Sequence, residues 1–179
     1  MINRIILFVF LLAGFQLAQA QSMRLVDEGS SVKFKIKNLG VTVTGSFTGL
    51  RGSVVFDPNL PSGGHFQAAV NATTINTGID MRDDHLRGES YFNTKQYPVI
   101  QFESTGIEPA RKKGHYLMKG KLTIKNITRD ISFPFTAEAK DAGYLFTGQF
   151  RINRRDFTVG SNSITLSDDV DILLSVLAQ

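Results

Sequence analysis

The sequence predicts an all-β domain of about eight to ten antiparallel strands, a sandwich or a barrel, and three observations carry that expectation. Apolar and polar residues alternate with period two over most of the chain after residue 20. Clusters of Gly, Pro, Asn and Asp punctuate the alternation at short intervals. A single segment, 77–98, breaks the pattern and offers room for one short helix.

The first twenty residues read differently from the rest. Arg4 precedes the apolar run Ile5 to Leu12, and Ala18-Gln19-Ala20 closes the segment in an A-x-A arrangement. That order describes a secretory signal peptide cleaved after Ala20, and hence a periplasmic or secreted location. The run is too short for the roughly 20 residues that span a bilayer. No later stretch would cross a membrane as a helix, so no stable insertion is expected. Residues 21–179 form one domain, 179 less 20 leaving 159 residues. With no cysteine there is no disulfide framework, and stability must come from a packed core. The formal charge of +4 falls to +3 without Arg4, and no block of like charge suggests nucleic acid as a partner.

Ser31 to Lys37 is the clearest strand, with Val32, Phe34 and Ile36 on one face and three lysines on the other. Val41 to Phe47 and Gly52 to Phe56 follow, with Thr48-Gly49-Leu50-Arg51 read as a hairpin turn between them. A loop over 57–64 precedes a strand from His65 to Thr73. Ile79 to Arg87 has no period-two reading, and Asp80 is placed to cap a helical turn there. The long connection around it has the character of a lid or binding loop. Strands resume at Val99 to Ser104, Tyr116 to Ile124, Arg129 to Ala139, Tyr144 to Asn153 and Ile164 to Val176. Lys112-Lys113-Gly114 and Asp141-Ala142-Gly143 read as turns, and Pro134 suggests an edge or a bulge.

Phenylalanine is over-used: 14 in the chain, 11 of them beyond the leader, against 4 Tyr and no Trp. One face of the alternation collects Val32, Phe34, Ile36, Phe56, Phe66, Phe102, Ile131, Phe133, Phe135, Phe146 and Phe150. Periodicity alone favours an ordinary filled core, and a barrel of about eight strands holds either side chains or one small ligand. A cavity of this composition would suit hydrocarbon. Burying a methylene contributes about 0.8 kcal/mol, so about ten supply roughly 8 kcal/mol before ordering costs, a micromolar affinity or weaker.

Catalytic and metal chemistry find little support. His65, His85 and His115 are too far apart for a local zinc motif, and no metal or cofactor is expected. Asp83, Asp84 and His85 read as solvated loop charge. The serine-nucleophile, dinucleotide and phosphate-loop signatures are missing, so no catalytic residue is assigned. Arg82, His85 and Arg87, with Arg151, Arg154 and Arg155, are the cations that would meet a polar lipid head. The equal alternative pairs Arg82 or Arg154 with Asp83, Asp84 or Asp156 to fix the loop. Two other readings stay open: an enzyme or enzyme partner acting on a lipid, with His85 as base and Asp83 orienting it, and a structural β domain with a filled core.

Thr77 to Leu86, Tyr91-Phe92-Asn93 and Tyr97 to Ser104 together resemble the YceI-like family. Gly120 to Ile124, Thr128 to Ile131 and Arg154 to Phe157 extend the resemblance over nearly the whole mature chain. It implies an extended antiparallel lipocalin-like β-barrel of about eight strands, with one short helical segment in a long loop near 79–97. It also implies a polyisoprenoid or related long-chain lipid in the lumen, of quinone or polyprenyl-phosphate type, and a periplasmic setting. The lumen residues would then be Phe34, Ile36, Phe56, Phe66, Phe92, Phe102, Phe133, Phe146 and Phe150. Arg82, Asp83, His85 and Arg154 would lie at the mouth with the head group. A homodimer stays open. The chain departs from the family at Asn126 and Thr158, where glycine is common.

Overall fold

The structure, a computed structural model, describes residues 22–179, so the leader expected over residues 1–20 lies outside the described residues. Eight strands follow one another: β1 (Ser22–Asn38), β2 (Val41–Val55), β3 (His65–Asn76), β4 (Val99–Pro109), β5 (His115–Ile124), β6 (Ile127–Lys140), β7 (Gly143–Asn153) and β8 (Leu166–Ala178). Each pairs antiparallel with the next, and β8 returns to β1 to close an up-and-down barrel. Closure leaves no free edge strand to manage. One helix, α1 (Asp80–Arg87), lies in the β3–β4 connection, and 3-10 turns at Pro61–Gly63 and Arg154–Phe157 complete the described elements. Connections alternate between the two ends. The β1–β2, β3–β4, β5–β6 and β7–β8 links share one end; β2–β3, β4–β5 and β6–β7 share the other.

Two local expectations are corrected, the turn at Thr48 to Arg51 and the cap at Asp80. Thr48 to Arg51 is no turn: β2 runs unbroken through it, shifting register against β3 between Ser46 and Arg51. The Asp27 carboxylate, on a register shift in β1, accepts from the backbone N–H groups of Gly49 (3.0 Å) and Leu50 (2.9 Å). The irregularity therefore keeps its donors satisfied. At Gly52, φ is +141° and an added Cβ would lie 1.9 Å from the carbonyl oxygen of Gln67, so the strands approach only because glycine stands there. Pro134 lies at a local edge, as the sequence suggests. It pairs with Leu117 on β5, and the β6–β7 ladder stops at Phe135–Gly148, next to the residue with no N–H to donate. Asp80 does not cap α1; Ile79 occupies the N-cap position and no side chain caps it.

The inward faces divide along the barrel axis. At the end where β1 starts, Phe56 stands edge-on to Phe66, Tyr116, Phe135, Tyr144 and Phe146, with ring centroids 5.2–6.4 Å apart. Met23, Leu25, Val54, Ile107, Met118 and Ala178 fill the space between them. Edge-to-face packing of Phe56, just beyond β2, with rings from β3, β5, β6 and β7 closes this end with a solid aromatic plug. Burial there pushes the Tyr116 hydroxyl up from its ordinary pKa, with Tyr144 adding to the effect.

Candidate functional site

Beyond the plug the interior is hollow. A cavity of about 230 Å³ runs towards the α1 end, walled by Phe34, Phe47, Phe102, Phe133, Phe150 and aliphatic residues of β1, β3, β4, β5, β7 and β8. Its emptiness has a specific cause. Phe34 pairs with Gly45 on β2, and a Cβ at Gly45 would lie 2.2 Å from the Phe34 Cζ. A Cβ at Gly120 would lie 2.4 Å from the Phe102 Cζ, and one at Gly148 would lie 3.2 Å from Phe133. Three inward glycines thus provide floor on which three phenylalanine rings lie against the wall instead of crossing the lumen. Phe133 and Phe150 then stack at 4.4 Å over the stretch where the β6–β7 ladder has ended.

The mouth is built from the two long connections. Residues 88–97 fold over one side, where Phe92 stands edge-on to Phe47 at 5.6 Å and Gly160 donates its N–H to the carbonyl of Ser90 (2.9 Å). The Lys125 ammonium bridges the same connections through the carbonyls of Thr158 (2.8 Å) and Glu89 (3.4 Å), and burial lowers its pKa. Leu122, Ile124, Phe157 and Val159 form a small second core beneath this clasp. The rest of the rim carries Asn38, Val43, Arg82, Leu86 and Leu166.

The two buried charges of the mouth are structural. Asp83, 4% exposed, accepts from the Thr77 N–H (2.9 and 3.1 Å) and the Thr77 hydroxyl (2.5 Å), pinning the start of the connection to α1. Arg154, also 4% exposed, donates to the Ser167 carbonyl (3.0 Å), the Val159 carbonyl (2.8 Å) and the Asp168 carboxylate (2.7 Å). Its cation is spent on joining the 3-10 turn to β8, although one side of it reaches the cavity. Arg82 differs. Its guanidinium is held by the Thr77 hydroxyl (2.7 Å) and carbonyl (2.8 Å), and among the described residues no carboxylate lies within 4 Å of it. It faces the lumen as a positioned, uncompensated cation.

Of the residues the sequence assigned to a lumen, Phe34, Ile36, Phe92, Phe102, Phe133 and Phe150 line the cavity. Phe56, Phe66 and Phe146 face inward but belong to the plug and do not reach it, because they interlock from facing strands. At the mouth, Arg82 and Arg154 line the cavity, while Asp83 is turned away into its bonds with Thr77. His85 is exposed and packs edge-on to Tyr91 at 5.0 Å, outside the cavity. Asp83 therefore does not orient His85. The partner of Arg154 is Asp168, not the acids expected for it, and Arg155 also reaches Asp168 at 3.7 Å. Phe47 was missed because the misread turn at 48–51 hid its place on an inward face. No group of three His, Asp or Glu able to hold a metal occurs among the described residues. The two departures at glycine positions both adopt positive φ, Asn126 at +63° and Thr158 at +52°. Asparagine tolerates that region; a β-branched threonine is strained there.

Known proteins share this architecture. The YceI-like domain family model matches residues 24–178. A UPF0312 protein of Yersinia pestis (strain Pestoides F) is 31% identical over 169 residues, 89% of this chain and 86% of that protein. A UPF0312 protein of Photorhabdus laumondii is 28% identical, covering 92% of this chain and 88% of its own length. Among solved structures, Burkholderia cenocepacia BcnA superposes with a TM-score of 0.81 at 29% identity, over 85% of this chain and 98% of BcnA. A polyisoprenoid binding domain from Saccharophagus degradans shares the fold at a TM-score of 0.69 and 18% identity, over 88% of this chain and 97% of that domain. The match over 155 consecutive positions, with the eight-stranded closed barrel beneath it, establishes that the chain belongs to the YceI-like family.

Proposed function

We propose that this protein is a binding protein, not an enzyme, which holds one long-chain apolar lipid of the polyisoprenoid type, tail in the lumen and head at Arg82. The observation that carries the reading is a one-ended apolar cavity: plugged at one end by aromatic rings, walled by hydrocarbon, and opening beside the guanidinium of Arg82. Apolar cavities of this order stay dry and take up hydrocarbon (about 150 Å³ suffices for benzene). A blind, narrow lumen favours an unbranched or linear-prenyl chain over a bulky ligand. A fixed arginine favours an acidic head, since it gains a charge-assisted bond without losing one to an internal carboxylate. The leader-like first twenty residues support a site of action in the periplasm or outside the cell.

Titration of delipidated protein with prenyl alcohols and prenyl phosphates of increasing length tests this directly. Affinity is expected to rise with each added isoprene until the lumen is full, and the phosphates to bind more tightly than the alcohols. Absence of uptake across the series sinks the proposal. An enzyme built on His85 and Asp83 has no supporting geometry, because Asp83 is committed to Thr77.

A further inference from the structure

The exposed large apolar side chains of this protein are not scattered. Among the described residues, five of the six, Leu39, Val41, Ile79, Met81 and Ile164, lie in or beside the connections of the mouth end, and Leu60 alone lies at the plugged end. The Leu39 N–H donates to the Thr165 carbonyl (2.8 Å), which sets the β1–β2 tip beside Ile164. Val41 pairs with Asn38 across the same tip, and Ile79 and Met81 flank the start of α1. Met81 is 83% exposed and Ile164 fully so.

Leu39 is the telling residue. The β1–β2 link is a two-residue turn, Leu39-Gly40, with φ of +51° and +78°. Such a turn wants Asn-Gly, and leucine is disfavoured at its first position by the backbone. Water disfavours it there too, since it is 75% exposed. A residue that breaks both local rules marks a place where something outside the fold compensates. Immediately behind the tip, Lys33, Lys35 and Lys37 point outward from β1, and among the described residues none has a carboxylate within 4 Å. Lys35 stands opposite Asp171 on β8, whose carboxyl pKa Lys35 and Lys37 help to lower, but that carboxylate is already bonded to Arg151.

We infer that the mouth rim docks on an anionic phospholipid bilayer, its apolar tips entering the interface while the lysines behind them meet head-group charge. Apolar tips with a row of lysines on the strand behind one of them match the layered chemistry of a membrane surface. A protein partner would not call for the separation of apolar and basic residues along one hairpin. Docking in this pose sets the open end of the lumen against the membrane. The inference goes beyond lumen occupancy and shares only the mouth with it.

Co-sedimentation with vesicles tests it, using phosphatidylcholine alone and phosphatidylcholine mixed with phosphatidylglycerol. The unaltered protein is expected to bind the mixed vesicles more tightly, with the difference removed by high salt. Leu39→Asn suits its turn better, so the fold should hold or gain stability. Combined with Met81→Ser it is expected to weaken vesicle binding about tenfold or more. Leu60→Ser, at the plugged end, is the control and should bind as before. Failure of the unaltered protein to sediment, equal binding to both vesicle types, or equal loss in the Leu60 variant overturns the inference. Uptake of a soluble fluorescent fatty chain, measured on the same variants, separates the two readings. Intact uptake without vesicle binding refutes docking alone, and vesicle binding without uptake refutes the lumen reading alone.

Discussion

The two ends of this barrel are made of the same residue type and do opposite things. At the plugged end, Phe56, Phe66, Phe135 and Phe146 meet edge to face across the interior and exclude everything else. In the open half, Phe34, Phe102 and Phe133 each lie over a glycine of a neighbouring strand and leave the centre clear. The difference is not hydrophobicity, nor the number of rings. For Phe34, Phe102 and Phe133 it is the missing Cβ beside the ring, which leaves each room to lie against the wall. Phe135 also pairs with a glycine, Gly148, but the rings of Phe56 and Phe66 facing it hold it across the interior.

That contrast can be broken from either side, and the plug should give the largest effect. Phe56→Ala removes the ring about which five others are arranged and is expected to cost about 3–5 kcal/mol. For a domain of this size that is a loss of roughly 10 °C in Tm by calorimetry. Lipid capacity should survive, because Phe56 does not line the cavity. Arg154→Met belongs next, at about 3 kcal/mol, since it leaves the Val159 and Ser167 carbonyls and the Asp168 carboxylate without their donor. Denaturant titration would measure it; the change should appear as stability and not as lipid selectivity.

Gly45→Ala is the converse experiment. The three atoms nearest to its Cβ belong to the Phe34 ring and the Thr77 methyl, side chains that can give way, so the ring is expected to swing inward while the backbone stays. The expected cost is about 1–3 kcal/mol of overpacking. Lipid affinity should fall about tenfold or more as the ring enters the lumen. Retained capacity in this variant would contradict the role given to glycine.

Arg82→Gln should barely alter stability, yet reduce the preference for prenyl phosphates over prenyl alcohols by about tenfold, read by parallel titrations. The smallest effect concerns the outer wall. The hydrogen bond from Arg151 holds the Asp171 carboxyl below its ordinary pKa, so the pair adds stability that is present above the ordinary carboxylate range. It is lost as the pH falls through the lowered value, so Asp171→Asn should lower stability slightly at neutral pH and leave it unchanged at the acid end, where the pair is already broken.

Much of this was legible in the chain because strand pairing obeys a two-residue period. Ser31 to Lys37 and Tyr144 to Asn153 declare both their faces, and every phenylalanine assigned inward from the strands does face inward. Legibility failed where composition and tertiary context disagree. Thr48-Gly49-Leu50-Arg51 has the residues of a turn, but Asp27, more than twenty positions earlier, satisfies its N–H groups and keeps it within a strand. The division of phenylalanines between plug and wall was illegible for a related reason. It depends on which glycine faces which ring, and Gly148 lies fifteen positions from Phe133 with its influence set by register. The partner of Arg154 was illegible because Asp168 arrives on the next strand, not among the nearby acids Asp83, Asp84 and Asp156.

Native mass spectrometry of the protein purified gently from a cell envelope, unaltered and as Gly45→Ala, tests the central claim most directly. The account predicts one co-purifying long-chain lipid on the unaltered protein, identifiable after extraction, and largely apo protein for the variant. An apo mass for the unaltered protein that persists after incubation with prenyl lipids would contradict it, as would equal lipid loading of the two.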